Sequence, residues 1–253
     1  MRTREPVRDD VPPSFEEDWR ARFVEFAEAN DDDAGIAGWS RSGLNTRFRF
    51  FRRRWREPAG PRYLDVGCGA GTYSRWLAEQ GLDLVGIDYS HATLVKARQR
   101  TTPAILLCAA NATRLPFADA RFDGAVCFGL LQAVPESGPT VTELARVIRP
   151  GGELWIDALN RSGLAARMDI ARRRLSGRRM HLRYESSRAL AAKLSEAGFE
   201  VIARHWLPIV PSRVQRLQPW LETRAAVTLL HSLPGAGALL GHSVMFHARR
   251  RTA

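Results

Sequence analysis

Tyr63-Leu64-Asp65-Val66-Gly67-Cys68-Gly69-Ala70-Gly71-Thr72, with Asp88 closing the next apolar run, is the stretch that decides the fold. An apolar strand, a glycine turn, a helix and an acid at the end of the following strand form the arrangement that grips a nucleoside-bearing ligand. Val66 ends what reads as a buried parallel strand, and Gly67, Gly69 and Gly71 supply positive φ angles and close backbone approach. The spacing predicts a helix from near Thr72, carried by Tyr73, Trp76 and Leu77 and stopped at Gly81. A second strand is predicted from Leu82 to Ile87, and the Asp88 carboxylate after it can accept two hydrogen bonds from the paired hydroxyls of a ribose.

Two ligand classes compete for such a turn, and spacing separates them. A dinucleotide site needs Gly-x-Gly-x-x-Gly, with the last glycine where this chain has Thr72. The pattern here is Gly-x-Gly-x-Gly, with Asp65 two residues before the first glycine. An acid at the mouth of the loop repels a pyrophosphate and suits an ammonium group, such as the amino acid end of S-adenosylmethionine.

Residues 63 to 157 resemble the core of a class I S-adenosylmethionine-dependent methyltransferase, of the broad group that modifies small molecules. Four successive elements carry the resemblance: Leu64 to Gly71; Val85-Gly86-Ile87-Asp88-Tyr89-Ser90; Asn111 to Phe117 with Phe122-Asp123-Gly124-Ala125-Val126; and Leu144 to Gly152 before the strand Glu153 to Leu159. The resemblance implies an α/β, Rossmann-like, doubly wound sheet of seven strands, mostly parallel with an antiparallel last strand, and helices on both faces. It implies that Asp65, Gly67, Cys68, Gly69 and Gly71 hold the methionine end of the cofactor, and that Asp88, followed by Tyr89, holds the ribose. Asn111 and Ala112 would line the adenine, with the Asn111 carbonyl accepting from the exocyclic amine, and Phe128 would sit near the methyl group.

Two positions depart from the family pattern. Relatives commonly carry an aspartate at Asn111, so the charge is lost while an acceptor oxygen is kept. Many have a histidine pair where this chain reads Leu130-Leu131-Gln132-Ala133-Val134-Pro135, and Gln132 is no general base. Methyl transfer from a sulfonium has an activated leaving group, so positioning can supply much of the acceleration. The catalytic residue is therefore unassigned, with Gln132 and His205 as weak candidates and Asp157 and Asn160 near the end of the fifth strand. Tyr89 and His91 are expected beside the adenine or in solvent. A Gly-x-Ser-x-Gly elbow and His/Cys metal spacing are both missing, so no metal is expected.

The 253 residues, 45% of them hydrophobic, suffice for one full core with a lid or small insertion. Cys68, Cys108 and Cys127 fall in or beside core strands and read as buried thiols in a reducing compartment. The first residues are rich in Arg, Asp and Glu and lack an apolar core, so no signal peptide is expected, and no apolar run is long enough to span a membrane. A cytoplasmic enzyme is the expectation. The net charge of +11 is almost all arginine, with Lys96 and Lys193 the only lysines, a skew that fits a GC-rich genome as well as it fits a function. Basic clusters at 47–56, 172–179 and 249–251 could meet phosphates or anionic lipid, but no separate RNA-binding module or flipped-base motif accompanies them.

Around the core, residues 1–13 read as a flexible terminus and 14–57 as a helical lid. Ser14 is the expected N-cap of a helix carrying Phe15, Trp19, Phe23 and Phe26, and a second helix is expected over Leu44 to Trp55, with Trp39 and Arg47 as lid residues. Residues 58–253 are expected to form the class I methyltransferase domain. Helices are predicted at Leu164 to Leu175 and Ser187 to Ala197, and strands at Phe199 to Trp206 and Ser243 to Arg249. The insertion 207–241, apolar and basic, is the expected acceptor-binding lid and could seat a lipid-like acceptor at a membrane surface. The expected activity is methyl transfer from S-adenosylmethionine to an O, N or C atom of a small-molecule acceptor, lipid-like or a secondary metabolite. The alternatives are an RNA methyltransferase, a non-catalytic S-adenosylmethionine-binding protein and, disfavoured by Thr72 and Asp65, a nicotinamide-dependent oxidoreductase. Nothing in the sequence fixes an oligomeric state.

Overall fold

The computed structural model describes residues 14–210 and 212–252; the segment 1–13, read from the sequence as a flexible terminus, lies outside the described residues. Three helices come first, α1 (Phe15–Ala29), α2 (Asp33–Ile36) and α3 (Arg41–Arg52). Strands and helices then alternate: β1 (Arg62–Val66), α4 (Thr72–Glu79), β2 (Asp83–Asp88), α5 (His91–Arg98) and β3 (Leu106–Ala109). Next come β4 (Phe122–Cys127), α6 (Ser137–Val147), β5 (Ile148–Leu159), α7 (Leu164–Leu175), α8 (Ser187–Glu196) and β6 (Phe199–Leu207). The segment 207–241 folds into a 3-10 turn and the short helices α9 (Gln218–Leu221), α10 (Arg224–Ser232) and α11 (Ala236–Leu240), before β7 (Ser243–Arg250).

The seven strands lie in the order β3-β2-β1-β4-β5-β7-β6. β1 to β5 pair in parallel, and β7 runs antiparallel to both β5 and β6, as the resemblance implies. The strand order reverses between β1 and β4, which opens a crevice beyond their carboxyl ends. Alternation of side chains across each strand divides the core into two layers. Leu64, Val66, Ala125, Leu154 and Ile156 face one layer, while Tyr63, Val126, Trp155 and Met245 face the other, where Leu44, Phe51, Tyr73 and Trp76 of α3 and α4 cover them. Asp65 and Asp157 alternate with Leu64 and Ile156, so both carboxylates are carried on the α3/α4 side.

Helix ends follow local chemistry. Ser14 caps α1 through the expected box: its Oγ accepts from Glu17 N–H (3.3 Å) and its own N–H donates to Glu17 Oε2 (2.7 Å). α3 starts before the expected Leu44 because Ser40 Oγ caps Gly43 N–H (3.1 Å), and it ends at Arg52 rather than Trp55. Asp31 and Asp33, just past the end of α1, fasten the leading helices to the domain, and Asp32 between them acts locally. Asp31 pairs with Lys96 of α5 (2.7 Å), and Asp32 caps α2. Asp33 pairs with Arg75 and accepts from Thr72 Oγ1 at the start of α4 (2.6 Å).

Candidate functional site

The crevice at the carboxyl ends of β1, β2 and β4 encloses about 1030 Å³ including its open mouth. Its floor is the glycine turn. Gly67 N–H and Cys68 N–H both donate to Ile87 O (2.8 and 2.9 Å), which fastens the turn to the end of β2. Gly67 has φ +76, and a Cβ there would come within 2.8 Å of Leu130, so both backbone shape and space call for glycine. Gly69 N–H donates to Asp88 Oδ2 (3.1 Å), and Ser90 N–H donates to Asp88 Oδ1 (3.0 Å). Burial raises the Asp88 carboxyl from its ordinary value to about 6 despite those donors.

Most of the expected cofactor residues meet on this cleft: Gly67, Cys68, Gly69, Asp88, Tyr89, Asn111, Ala112 and Phe128 all line it. Asp65 and Gly71 do not. Asp65 lies under the turn, 2% exposed, and accepts from Ser74 Oγ of α4 (2.6 Å); burial lifts its carboxyl to about 7. Gly71 is the N-cap of α4. Asn111 lines the cleft, but its Oδ1 already accepts from Thr113 N–H and Thr113 Oγ1 (2.9 Å each). Both lone pairs of that carbonyl are thereby engaged, and the amide nitrogen is the group left to face a ligand.

The weak catalytic candidates lie elsewhere. Gln132 is absent from the lining, although Leu130 and Ala133 beside it are present, and its carbonyl accepts from Arg183 N–H (3.0 Å). His205 sits on β6 among Phe50 (5.7 Å) and Trp155 (6.4 Å, nearly parallel), with Arg54 and His231 around a separate depression. Burial, helped by the Arg54 charge, lowers its imidazole to about 3, so it is neutral and remote from the cleft. Asp157 is held by Arg47 Nε (2.8 Å) and Gly129 N–H (2.7 Å). Asn160 clamps the insertion by donating to Ala238 O (2.8 Å) and Gly241 O (2.7 Å). His91 is exposed at the start of α5.

The roof comes from residues 14–44. Glu16, Phe23, Ala37, Trp39 and Leu44 line the cleft, whereas no residue of 207–241 does among the described residues. The insertion instead backs α3: Glu222 accepts from Thr46 Oγ1 (2.9 Å) and Arg49 Nε (2.9 Å). Trp39 lies against Gly129, where φ is +72 and a Cβ would fall 1.7 Å from the indole, so this glycine is what lets the ring close over the end of β4. The Arg47 guanidinium stacks on the same indole at 4.5 Å and also donates to Ser243 Oγ (2.6 Å). Trp39 and Arg47 thus form one assembly that ties the lid to β4, β5 and β7.

Tyr73 is the site residue that sequence reading missed. Its helical spacing marks it as core, and its ring does pack on Phe128 (4.5 Å), yet it lines the cleft. Its hydroxyl, with those of Tyr89 and Thr93, is buried with no hydrogen-bond partner among the described residues. A tyrosine where leucine would fill the same face was the available signal. Three orphan hydroxyls on one cleft call for a polar ligand. The Tyr89 and Thr93 hydroxyls, together with Asp88 and the Asn111 amide, fit a group bearing a ribose and a purine. Among the described residues no set of His, Cys, Asp and Glu side chains is placed to hold a metal ion.

A methyltransferase-domain family model matches residues 64–156, the stretch that builds this cleft's floor and one wall. Residues 64–156 are a class I S-adenosylmethionine-dependent methyltransferase domain. Demethylmenaquinone methyltransferase of Renibacterium salmoninarum is 42% identical over 113 residues, covering 41% of this chain and 47% of that protein. Ubiquinone biosynthesis O-methyltransferase of Dechloromonas aromatica is 33% identical over 111 residues, covering 41% of this chain and 47% of that one. The chain thus matches under half the length of these relatives. The methyltransferase fold extends further than the sequence match. Phosphoethanolamine N-methyltransferase 2 of Haemonchus contortus, solved in complex with S-adenosylmethionine, aligns with a TM-score of 0.66 over 96% of this chain and 61% of that one, at 18% identity.

Proposed function

We propose that the chain is an S-adenosylmethionine-dependent methyltransferase whose acceptor is a small, apolar, lipid-like molecule. The division of one cleft into a polar end and an apolar end carries this reading. At the polar end, the ionised Asp88 would accept the ribose hydroxyls, and the Asn111 amide would donate to a ring nitrogen of the purine rather than accept from its amine. Tyr89 and Phe23, edge to face at 5.7 Å, would close over the same ring. Asp65 would brace the turn from beneath through Ser74, without touching the ligand.

When bound, the cofactor supplies a methyl group already activated on a sulfonium. At the apolar end, Phe128, Trp39, Leu44, Leu130 and Val134 would hold an acceptor ring or chain and exclude water. Among the described residues Asp88 and Glu16 are the only carboxylates of the lining, and both lie near Tyr89 at the polar end. The residues therefore suit an acceptor that ionises on its own, such as an acidic phenol or a hydroxyquinone. The Tyr73 hydroxyl would donate to the acceptor's oxygen and set its orientation. The two quinone-pathway names among the relatives point the same way.

The test is transfer of labelled methyl from S-adenosylmethionine to a panel of hydroxynaphthoquinones, prenylated phenols and short phenols, read by mass spectrometry. Methylation that favours the apolar acceptors is the expected result. Cofactor binding with no transfer to any member would make the chain a non-catalytic binder and overturn the proposal, as would salt-sensitive methylation of RNA in their place.

A further inference from the structure

α7 turns its apolar side outward. Leu164, Met168, Ala171 and Leu175 recur at helical spacing and form one stripe, yet Met168 is 71% and Leu175 90% exposed, while Ala166 is the buried residue of this helix. At about 100° per residue, Arg172 lies roughly 70° to one side of the stripe, and Arg167 and Arg174 lie roughly 70–90° to the other. Arg178 and Arg179 follow just beyond the helix and are also exposed. Asp169, the one acid of α7, is on the opposite side, bonded to Arg172 and Arg173 (3.0 Å each). α11 packs against α7 and carries two further exposed leucines, Leu239 and Leu240.

α7 starts at the edge of the sheet where the cleft opens. It leaves the carboxyl end of β5, and the loop after it is fastened back to that edge by Glu185 N–H donating to Leu159 O (2.9 Å). The same loop donates Arg183 N–H to Gln132 O, between the lining residues Leu130 and Ala133.

We propose that α7, with α11, is a docking surface for an anionic lipid bilayer. An apolar stripe buried at the level of the acyl chains, with arginines on both flanks reaching up to phosphates, is how an in-plane amphipathic helix binds a membrane surface. Charge complementarity selects this occupant: Arg172 on one flank is paired with Asp169, but Arg167 and Arg174 on the other have no acidic partner among the described residues, which matches a sheet of lipid phosphates. The inference concerns a surface outside the cofactor site and stands without the methyl-transfer proposal.

The test is co-sedimentation of the full chain with vesicles of phosphatidylcholine plus phosphatidylglycerol, and with vesicles of phosphatidylcholine alone, at low and high salt. Strong binding to the first, weakened by salt, and little binding to the second are expected. R167Q with R174Q should weaken partitioning about 25-fold, near fivefold for each charge. M168E with L175E should abolish it. Every substituted side chain is exposed, so circular dichroism and cofactor affinity should be unchanged and confirm that the variants fold. Equal binding to both vesicle types, or binding that the variants leave intact, would overturn the inference. So would self-association of the chain that M168E removes, since a second copy would then be what covers the stripe. A chain that binds S-adenosylmethionine but not anionic vesicles overturns this inference alone; one that binds vesicles but not S-adenosylmethionine overturns the methyltransferase proposal alone.

Discussion

The floor of the cleft and its roof are built by different means. The floor, β1 to β4 with the turn at 67–71, is backbone held by backbone: Gly67 and Cys68 amides on Ile87 O, with an acid placed at the end of a strand. The roof is side chains from distant segments locked together, with Trp39 on Gly129, Arg47 on Trp39, and Arg47 on Asp157. A site made of backbone leaves its mark in consecutive residues, whereas one made of side chains is assembled only by folding. Damage to the roof should therefore appear first as lost stability, and damage to the floor as lost binding.

Arg47→Ala should have the largest effect. Arg47 and Asp157 are both buried, and removing the arginine strands a buried carboxylate, which costs about 3–5 kcal/mol. Urea unfolding measures this loss, and Arg47→Met with Asp157→Leu should return much of it. A loss under about 1 kcal/mol would mean that the roof is not held this way.

Asp88→Ala should do the reverse. Cofactor affinity should fall by about 1.5–3 kcal/mol, while the apo protein should be no less stable, because a carboxyl raised to about 6 is penalised by burial when ionised. The sign follows from linkage. The unfolded carboxyl ionises first, so this group's share of stability falls as pH rises from near 4 to near 6 and is flat above that. Ribose binding needs the ionised form, so affinity should drop roughly tenfold between pH 7 and pH 5 in the wild type. Asp88→Asn should remove that step; a step that persists in the variant would assign it to another group.

Tyr73→Phe should lower kcat/KM by about tenfold with cofactor affinity unchanged, the worth of one hydrogen bond to the acceptor. An equal loss in cofactor affinity would move the hydroxyl to the floor. The smallest effect is expected at β6, where His205→Leu, neutral and remote from the cleft, should change kcat/KM by less than about threefold.

The sequence exposes the floor because each of its parts is a local necessity. Gly67 needs a positive φ, Asp88 ends a strand, and both can be recognised within their own segment. Even there, two side chains take roles that only the folded chain sets. Asp65 is drawn under the turn by Ser74, and the Asn111 carbonyl is taken by Thr113, so neither meets a ligand as its type suggests. The sequence singles out Trp39 and Arg47 as lid residues, but their mutual stacking depends on residues far apart in the chain. The insertion 207–241 looks like a lid because it is apolar and follows the sheet's open end, yet Glu222 bonds it to α3 instead. The outward stripe of α7 is invisible to periodicity, which reports that a face is apolar but not which way it points.

Titration calorimetry of the wild-type chain with S-adenosylmethionine and S-adenosylhomocysteine, near neutral pH, bears most directly on the cleft as a cofactor site. The floor described here predicts one site per chain for each ligand, with micromolar or tighter affinity that Asp88→Ala weakens. Absence of binding by either ligand at high micromolar concentration, from a chain shown to be folded, would contradict it.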